Sequence, residues 1–200
     1  MNQSLRIAIA DDEPDMRDYF AKILPRLGHQ VVAQARDGRE LVEQCRALRP
    51  DLVITDIKMP EMDGIDAACE IYQERPIPVI LVSAFHDPEL IARAEADHIM
   101  GYLVKPIKQA DLRPVISLAL RRFEQFQELR QEAADLRQAL EDRKMIERAK
   151  GVVMRRLRWD EEEAFRRIRK LANDHNRKVV DVAAEIIRAD SVFEAMERGG

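Results

Sequence analysis

Hydrophobic residues in the first 120 positions fall into short continuous blocks, and the stretches between the blocks carry helical spacing. Leu5–Asp11, Gln30–Ala35, Leu52–Asp56, Val79–Ser83 and Ile99–Val104 are the blocks, each short enough to be a strand. Between them, Met16–Leu27 places Met16, Phe20, Ile23, Leu24 and Leu27 on one side, and Gly28 stops it. Gly38–Leu48 turns Leu41, Val42, Cys45 and Leu48 inward. Ile65–Tyr72 and Pro88–Ala96 are two further helices, and another follows Pro106. Five βα units result. Strands that are apolar throughout belong to a parallel sheet covered on both faces, so a doubly wound α/β fold is expected. In such sheets ligands sit beyond the carboxyl ends of the strands.

The pattern changes after Pro114. No proline follows and no glycine occurs before Gly151, so residues 115–157 are expected as one helix. A heptad register puts Ala119, Phe126, Ala133 and Leu140 at a, and Val115, Arg122, Leu129, Leu136 and Arg143 at d. The seam is clean over 126–140, which predicts a short coiled coil through Phe126, Leu129, Ala133, Leu136 and Leu140. At 100° per residue, Ile146, Ala149, Val153 and Leu157 lie on a different face, roughly 180–260° from Leu140. That stripe needs its own partners. Asp160 and Glu163 open a second helix as a capping-box variant, with Ala164, Phe165, Ile168, Leu171 and Ala172 inward. A third helix offers Val179, Val182, Ala183, Ile186 and Ile187. Three helices then share one small core, with Trp159 closing it at the hinge.

Charge sharpens the division. The 200 residues hold 33 basic and 37 acidic side chains, a net −4. Residues 1–120 carry −6 and residues 121–200 carry +2. Over 143–158 there are seven basic residues and one acid, Glu147. Lys144, Arg148, Arg155 and Arg158 project within about 80° of one another, with Gly151 among them. With Lys150, these are the candidate nucleic-acid contacts. An interior glycine costs a helix about 1 kcal/mol relative to alanine, and its missing side chain permits close approach by another chain. Cys45 and Cys69 lack metal-ligand spacing, and the four histidines form no zinc motif. No apolar run is long enough to span a bilayer, and the first residues do not read as a secretory signal. A cytoplasmic location without membrane association is expected.

Chemistry gathers at the strand ends. Asp11, followed by Asp12 and Glu13, ends the first strand. Asp56 ends the third, Ser83 the fourth, and Lys105 follows the fifth. In a parallel sheet these ends meet on one edge. Carboxylates held together there would bind a hard cation such as Mg²⁺ through Asp11, Asp12 and Asp56, with the Lys58 carbonyl completing the shell. Asp56 is then a nucleophile toward phosphorus, and Lys105 and Ser83 meet the phosphoryl oxygens. No second catalytic constellation appears, so the expected chemistry is self-phosphorylation and slow self-dephosphorylation at Asp56 rather than an independent enzyme activity.

IADDE at 9–13, DIKMPEMDG at 56–64, VSA at 82–84 and GYLVKP at 101–106 together resemble the receiver domain of two-component response regulators. The resemblance implies a phosphoacceptor at Asp56, Mg²⁺ at Asp11, Asp12 and the Lys58 carbonyl, and a Ser83–Tyr102 switch pair. It also implies a cis peptide before Pro106 and a cognate sensor histidine kinase. Asp97-His98 stands where many receivers have a small residue and glycine. ALEDRKMIERAKGVVM at 139–154, EAFRRIRKLA at 163–172 and VVDVAAEII at 179–187 resemble the ANTAR output domain. Many relatives have glycine before the second helix, where this chain has Arg158-Trp159. This second resemblance implies binding of RNA hairpins in nascent transcripts and prevention of termination; the coiled-coil stripe adds the expectation of a homodimer through the long helix, favoured by phosphorylation. The expected organisation is a receiver over 1–121, a helical coiled-coil linker over 122–138, and an RNA-binding three-helix domain over 139–195. A DNA-binding regulator and a protein-only signalling module are the alternatives.

Overall fold

The computed structural model describes residues 4–84 and 99–198. The predicted helix Pro88–Ala96 and the Asp97-His98 pair lie outside the described residues. The chain divides into two compact units, residues 1–128 and 129–200. The division falls within the segment expected as a linker.

In the first unit, β1 (Arg6–Ala10), β2 (Gln30–Ala35), β3 (Leu52–Asp56), β4 (Val79–Ser83) and β5 (Ile99–Val104) form one sheet in the order β2-β1-β3-β4-β5. Every neighbouring pair is parallel. β3 is buried along its whole length, as its unbroken apolar sequence requires. α1 (Pro14–Arg26) and the first turns of α4 (Gln109–Leu157) cover one face with Phe20, Ile23, Leu24, Leu112, Ile116 and Ala119. α2 (Gly38–Leu48) and α3 (Gly64–Glu74) cover the other with Leu41, Val42, Ile65 and Ile71. The doubly wound expectation holds. Leu48 is a correction in detail: it is exposed, at the last residue of α2, beyond the reach of the core.

α2 and α3 begin at side-chain caps. Asp37 accepts from the Glu40 amide, and Asp63 accepts from the Asp66 amide. Each cap satisfies an amide that the first turn leaves unpaired.

α4 starts earlier than expected and changes character along its length. Ala119, at a heptad a position, is fully buried in the first unit's own core, and Phe126 packs partly against it. Phe126 therefore leaves the predicted seam. Leu129, Leu136 and Leu140 are exposed, at 64%, 60% and 58%, and Ala133 is exposed with them.

In the second unit, the end of α4 packs with α5 (Glu161–Asp174) and α6 (Val179–Arg198). Ala149, Val153, Ala164, Ile168, Ala172, Val182 and Ala183 are buried, and Ile146, Val179, Ile186 and Ile187 pack against them. Trp159 joins this cluster. Phe165, Leu171 and Leu157 were expected inward and are exposed; Phe165 and Leu171 flank the narrow buried face of α5, and Leu157 is the last residue of α4. Asp160 caps α5 by accepting from the Glu163 amide at 2.8 Å. The reciprocal half of a capping box is not made, because the Glu163 carboxylate pairs with Arg166 and Arg167.

Candidate functional site

The strand order reverses between β2-β1 and β3-β4, and the crevice at such a reversal is where open sheets bind ligands. β1 and β3 are neighbours there, so Asp11 and Asp56 leave the sheet side by side. Both are nearly buried, 1% and 8% exposed. Lys105, just past β5, reaches across to them. Its Nζ lies 2.9 Å from Asp56 Oδ2, 3.0 Å from Asp11 Oδ2 and 3.1 Å from Glu13 Oε1.

Burial opposes the Lys105 charge, but hydrogen bonds to Asp56, Asp11 and Glu13 outweigh it and hold its pKa above the ordinary lysine value. Asp11 is shifted up. Burial raises its pKa more than the Glu13 amide and Lys105 lower it. The remaining acceptors are held by the backbone. Asp56 Oδ1 accepts from the Ile57 amide at 2.7 Å, and Asp11 Oδ1 accepts from the Glu13 amide at 2.9 Å. Asp11 Oδ2 is buried and faces the Lys105 ammonium.

Ligand atoms of Asp11, Asp12, Glu13 and Asp56 all lie within 4.8 Å of one another. Four carboxylate oxygens so close, two of them on nearly buried aspartates, suit a hard cation.

The neighbouring residues hold this arrangement still. Arg17 donates to the carbonyls of Asp11 and Asp12 at 2.6 and 3.1 Å. Buried Thr55 donates to the Asp56 carbonyl at 3.0 Å. Gly64 lets the start of α3 approach β3. Its amide donates to the Ile57 carbonyl at 2.8 Å, and a Cβ there would lie 2.0 Å from the Asp56 carbonyl oxygen.

The other predicted residues are placed as follows. Ser83 ends β4 half-buried, opposite Val104 in register. Tyr102 is 38% exposed on β5. Lys58 is exposed in the loop after β3. The Lys105–Pro106 peptide is cis.

Glu13, Arg17, Thr55 and Gly64 were not singled out as site residues. Glu13 had a signal, as the last of three consecutive acids. Thr55 had none, since threonine in an apolar strand reads as an ordinary β-former.

On the second unit, Lys144, Arg148, Gly151, Arg155 and Arg158 are exposed. Arg158 follows α4 with φ 57°, the left-handed conformation that glycine adopts more easily. Lys150 stands apart. It is 7% exposed, and its Nζ lies 2.6 Å from Glu161 Oε1 and 2.9 Å from Glu147 Oε2. The two carboxylates raise its pKa. Its helical angle, about 280° from Leu140, already put it beside the bundle face. It therefore leaves the basic face. Lys144 pairs with Glu141 at 2.7 Å, and Arg155 with Asp190 and Glu194.

Comparison with known proteins bears on both units. The family model for the response regulator receiver domain matches residues 7–117, and that for the ANTAR domain matches residues 134–187. The transcriptional regulatory protein PdtaR of Mycobacterium tuberculosis is 41% identical over 182 residues, covering 91% of this chain and 89% of the relative. The chemotaxis protein CheY of Thermotoga maritima is 38% identical over 104 residues, 52% of this chain and 87% of the relative. Among solved structures, the signal receiver domain of a modulated diguanylate cyclase from Desulfovibrio desulfuricans matches with TM-score 0.57 and 26% identity. It covers 61% of this chain and 98% of that one.

Proposed function

Because the chain belongs to the response regulators that join a receiver to an ANTAR domain, we propose that phosphorylation of Asp56 controls RNA binding by the second unit. An Asp56 carboxylate oxygen attacks the phosphorus of a phosphohistidine on a sensor kinase. The new P–O bond forms as the P–N bond breaks, and the imidazole leaves with the electron pair. The observation that carries this reading is Lys105 held within 3.1 Å of three carboxylates. Its ammonium is already placed where a phosphoryl oxygen will need a cation.

Asp11, Asp12, Asp56 and the Lys58 carbonyl would hold Mg²⁺, which when bound neutralises carboxylate and phosphoryl oxygens together. The backbone hydrogen bonds to Asp56 and Asp11 keep the carboxylates from turning. The phosphoryl group adds charge and acceptors beside Ser83. Ser83 then donates to it, and exposed Tyr102 turns inward, changing the surface of β5.

The phosphorylated form pairs two copies through Leu129, Ala133, Leu136 and Leu140. Two ANTAR bundles then present Arg148, Gly151, Arg155, Arg158 and Lys144 to hairpin RNA in nascent transcripts. Phosphate contacts give affinity, and exposed loop bases give selectivity. Termination is thereby prevented, in the cytoplasm where kinase and transcript are both reached. No helix among the described residues is long and apolar enough to cross a membrane.

The test combines a phosphodonor and a gel shift. Acetyl phosphate with Mg²⁺ should label the wild type and strengthen binding to a synthetic RNA hairpin over duplex DNA of equal charge. Asp56→Asn should take up no label, and Arg148→Glu should lose the RNA shift with helicity intact. Labelled Asp56→Asn protein would reject the phosphoacceptor, and a preference for the duplex would reject RNA as the ligand.

A further inference from the structure

α6 continues to Arg198, past the end of the ANTAR match at residue 187. The added turns place Asp190 and Glu194 four residues apart, on one side of the helix. Both point at α4. Asp190 Oδ2 lies 2.6 Å from Arg155 Nη2, and Glu194 Oε1 lies 3.2 Å from the same nitrogen. Asp190 Oδ1 lies 2.8 Å from Arg156 Nε, and the Arg156 guanidinium sits 5.5 Å from the Phe193 ring centroid. The Asp190 side chain is 8% exposed and that of Arg155 is 59% exposed. These groups wall a cleft of about 400 Å³ whose α4 side is Arg148, Gly151 and Arg155, and whose α6 side is Ile187, Asp190 and Glu194.

One wall of the cleft is therefore basic and the other acidic, and the same arginine faces both the acids and solvent. A phosphodiester that reaches Arg155 must share it with two carboxylates or displace them. We propose that Asp190 and Glu194 set the affinity of the RNA face by competing with phosphate for Arg155. This rests on the RNA reading above and deepens it. The acids hold the resting affinity for any polyanion low. RNA binds well only when enough other contacts form to compensate for the lost ion pairs. Arg148, on the same wall, has no acid opposite it in this set and remains the first contact.

The test is a double-mutant cycle on the full chain. The probe is a synthetic RNA stem-loop, titrated across a potassium chloride series. Glu194→Gln and Asp190→Asn/Glu194→Gln should tighten binding several-fold at low salt. The slope of log affinity against log salt should steepen by about 0.7 to 0.9 for each phosphate newly neutralised. In an Arg155→Gln/Arg156→Gln background the same substitutions should change nothing, because Asp190 holds Arg156 as well. A gain that survives in that background is a bulk charge effect and overturns the proposal. So does an unchanged or weakened affinity, which would make the carboxylates positioning groups for the arginines. Glu194 is partly exposed and pairs at the rim, so Glu194→Gln reports even where the double variant melts early. Failure of every form to bind the stem-loop would reject the RNA reading itself. Binding by wild type that neither variant alters would reject only the competition.

Discussion

Alanine at two glycines should move stability in opposite directions, in two different units. A Cβ at Gly64 would lie 2.0 Å from the Asp56 carbonyl oxygen and 2.9 Å from Thr55 Oγ1. Ordinary contact needs roughly 3.5 Å, so α3 must retreat from β3 by about 1.5 Å or Asp56 must turn. Forced overpacking of this kind costs about 1–3 kcal/mol. The entropy that alanine removes from the unfolded chain, about 0.4–1 kcal/mol, offsets part of it. A reacting group misplaced by about 1 Å can lose about 10²-fold in rate, so phosphoryl uptake at Asp56 should fall further than stability does. Gly151 meets nothing within 4 Å. Alanine there removes a helix-interior glycine and should stabilise by up to about 1 kcal/mol.

The chain carries a built-in way to separate the two effects. Trp159 is its single tryptophan and packs on the second unit's core. Urea unfolding followed by tryptophan fluorescence reads the second unit, while circular dichroism reads both. Gly64→Ala should lower the midpoint of the dichroism transition and leave the fluorescence transition in place. Gly151→Ala should raise the fluorescence midpoint. An unmoved first unit with full phosphoryl uptake in Gly64→Ala would refute the close-approach argument. Loss of stability in Gly151→Ala would show that the space beside it is not open.

Two further expectations concern surface and burial. Leu129→Ser/Leu136→Ser should weaken phosphorylation-linked dimerisation in analytical ultracentrifugation by tenfold or more, because each exposed leucine forgoes roughly 1.5–3 kcal/mol of burial at a seam; a dimer of unchanged strength would place the interface elsewhere. Burial pushes the Cys45 thiol up to about 12, so at pH 8 it stays protonated and enclosed. Half-buried Cys69 should react with a thiol reagent first, and Cys45 only on unfolding; equal rates in the native protein would contradict the packing of α2.

The sheet was legible because burial on both faces leaves an unbroken apolar run, as in LVITD over 52–56, and a run so short and rich in β-branched residues is read as a strand rather than a helix. The pocket was legible for a related reason. Asp11, Asp56 and Lys105 each stand at the end of such a run, and parallel strands bring equivalent ends together. What escaped depends on distances that periodicity does not carry. Phe126 fits a heptad as well as it fits the side of its own sheet, and only packing decides between them. Lys150 was grouped by charge, although its angle on the helix placed it with the core. Asp190 and Glu194 lie 35 and 39 positions after Arg155, and nothing in a one-dimensional pattern joins an arginine to acids on another helix.

The middle of α4 has a consequence of a different kind. Its two ends are anchored in two hydrophobic cores, but residues 128–141 are exposed throughout. Over that stretch the helix's own backbone hydrogen bonds are joined by side-chain bonds such as Gln131–Asp135 and Gln138–Asp142, without burial in a core. A free helix of about 12–15 residues is marginal in water. In a single copy this segment is the place where the backbone opens at least cost, exchanging its amide protons while both cores stay closed. Pairing the leucines would raise that local opening energy, and the connection would stiffen from a hinge into a strut. Whether one copy is present or two are paired, rather than chain length, then sets how readily this segment of α4 opens.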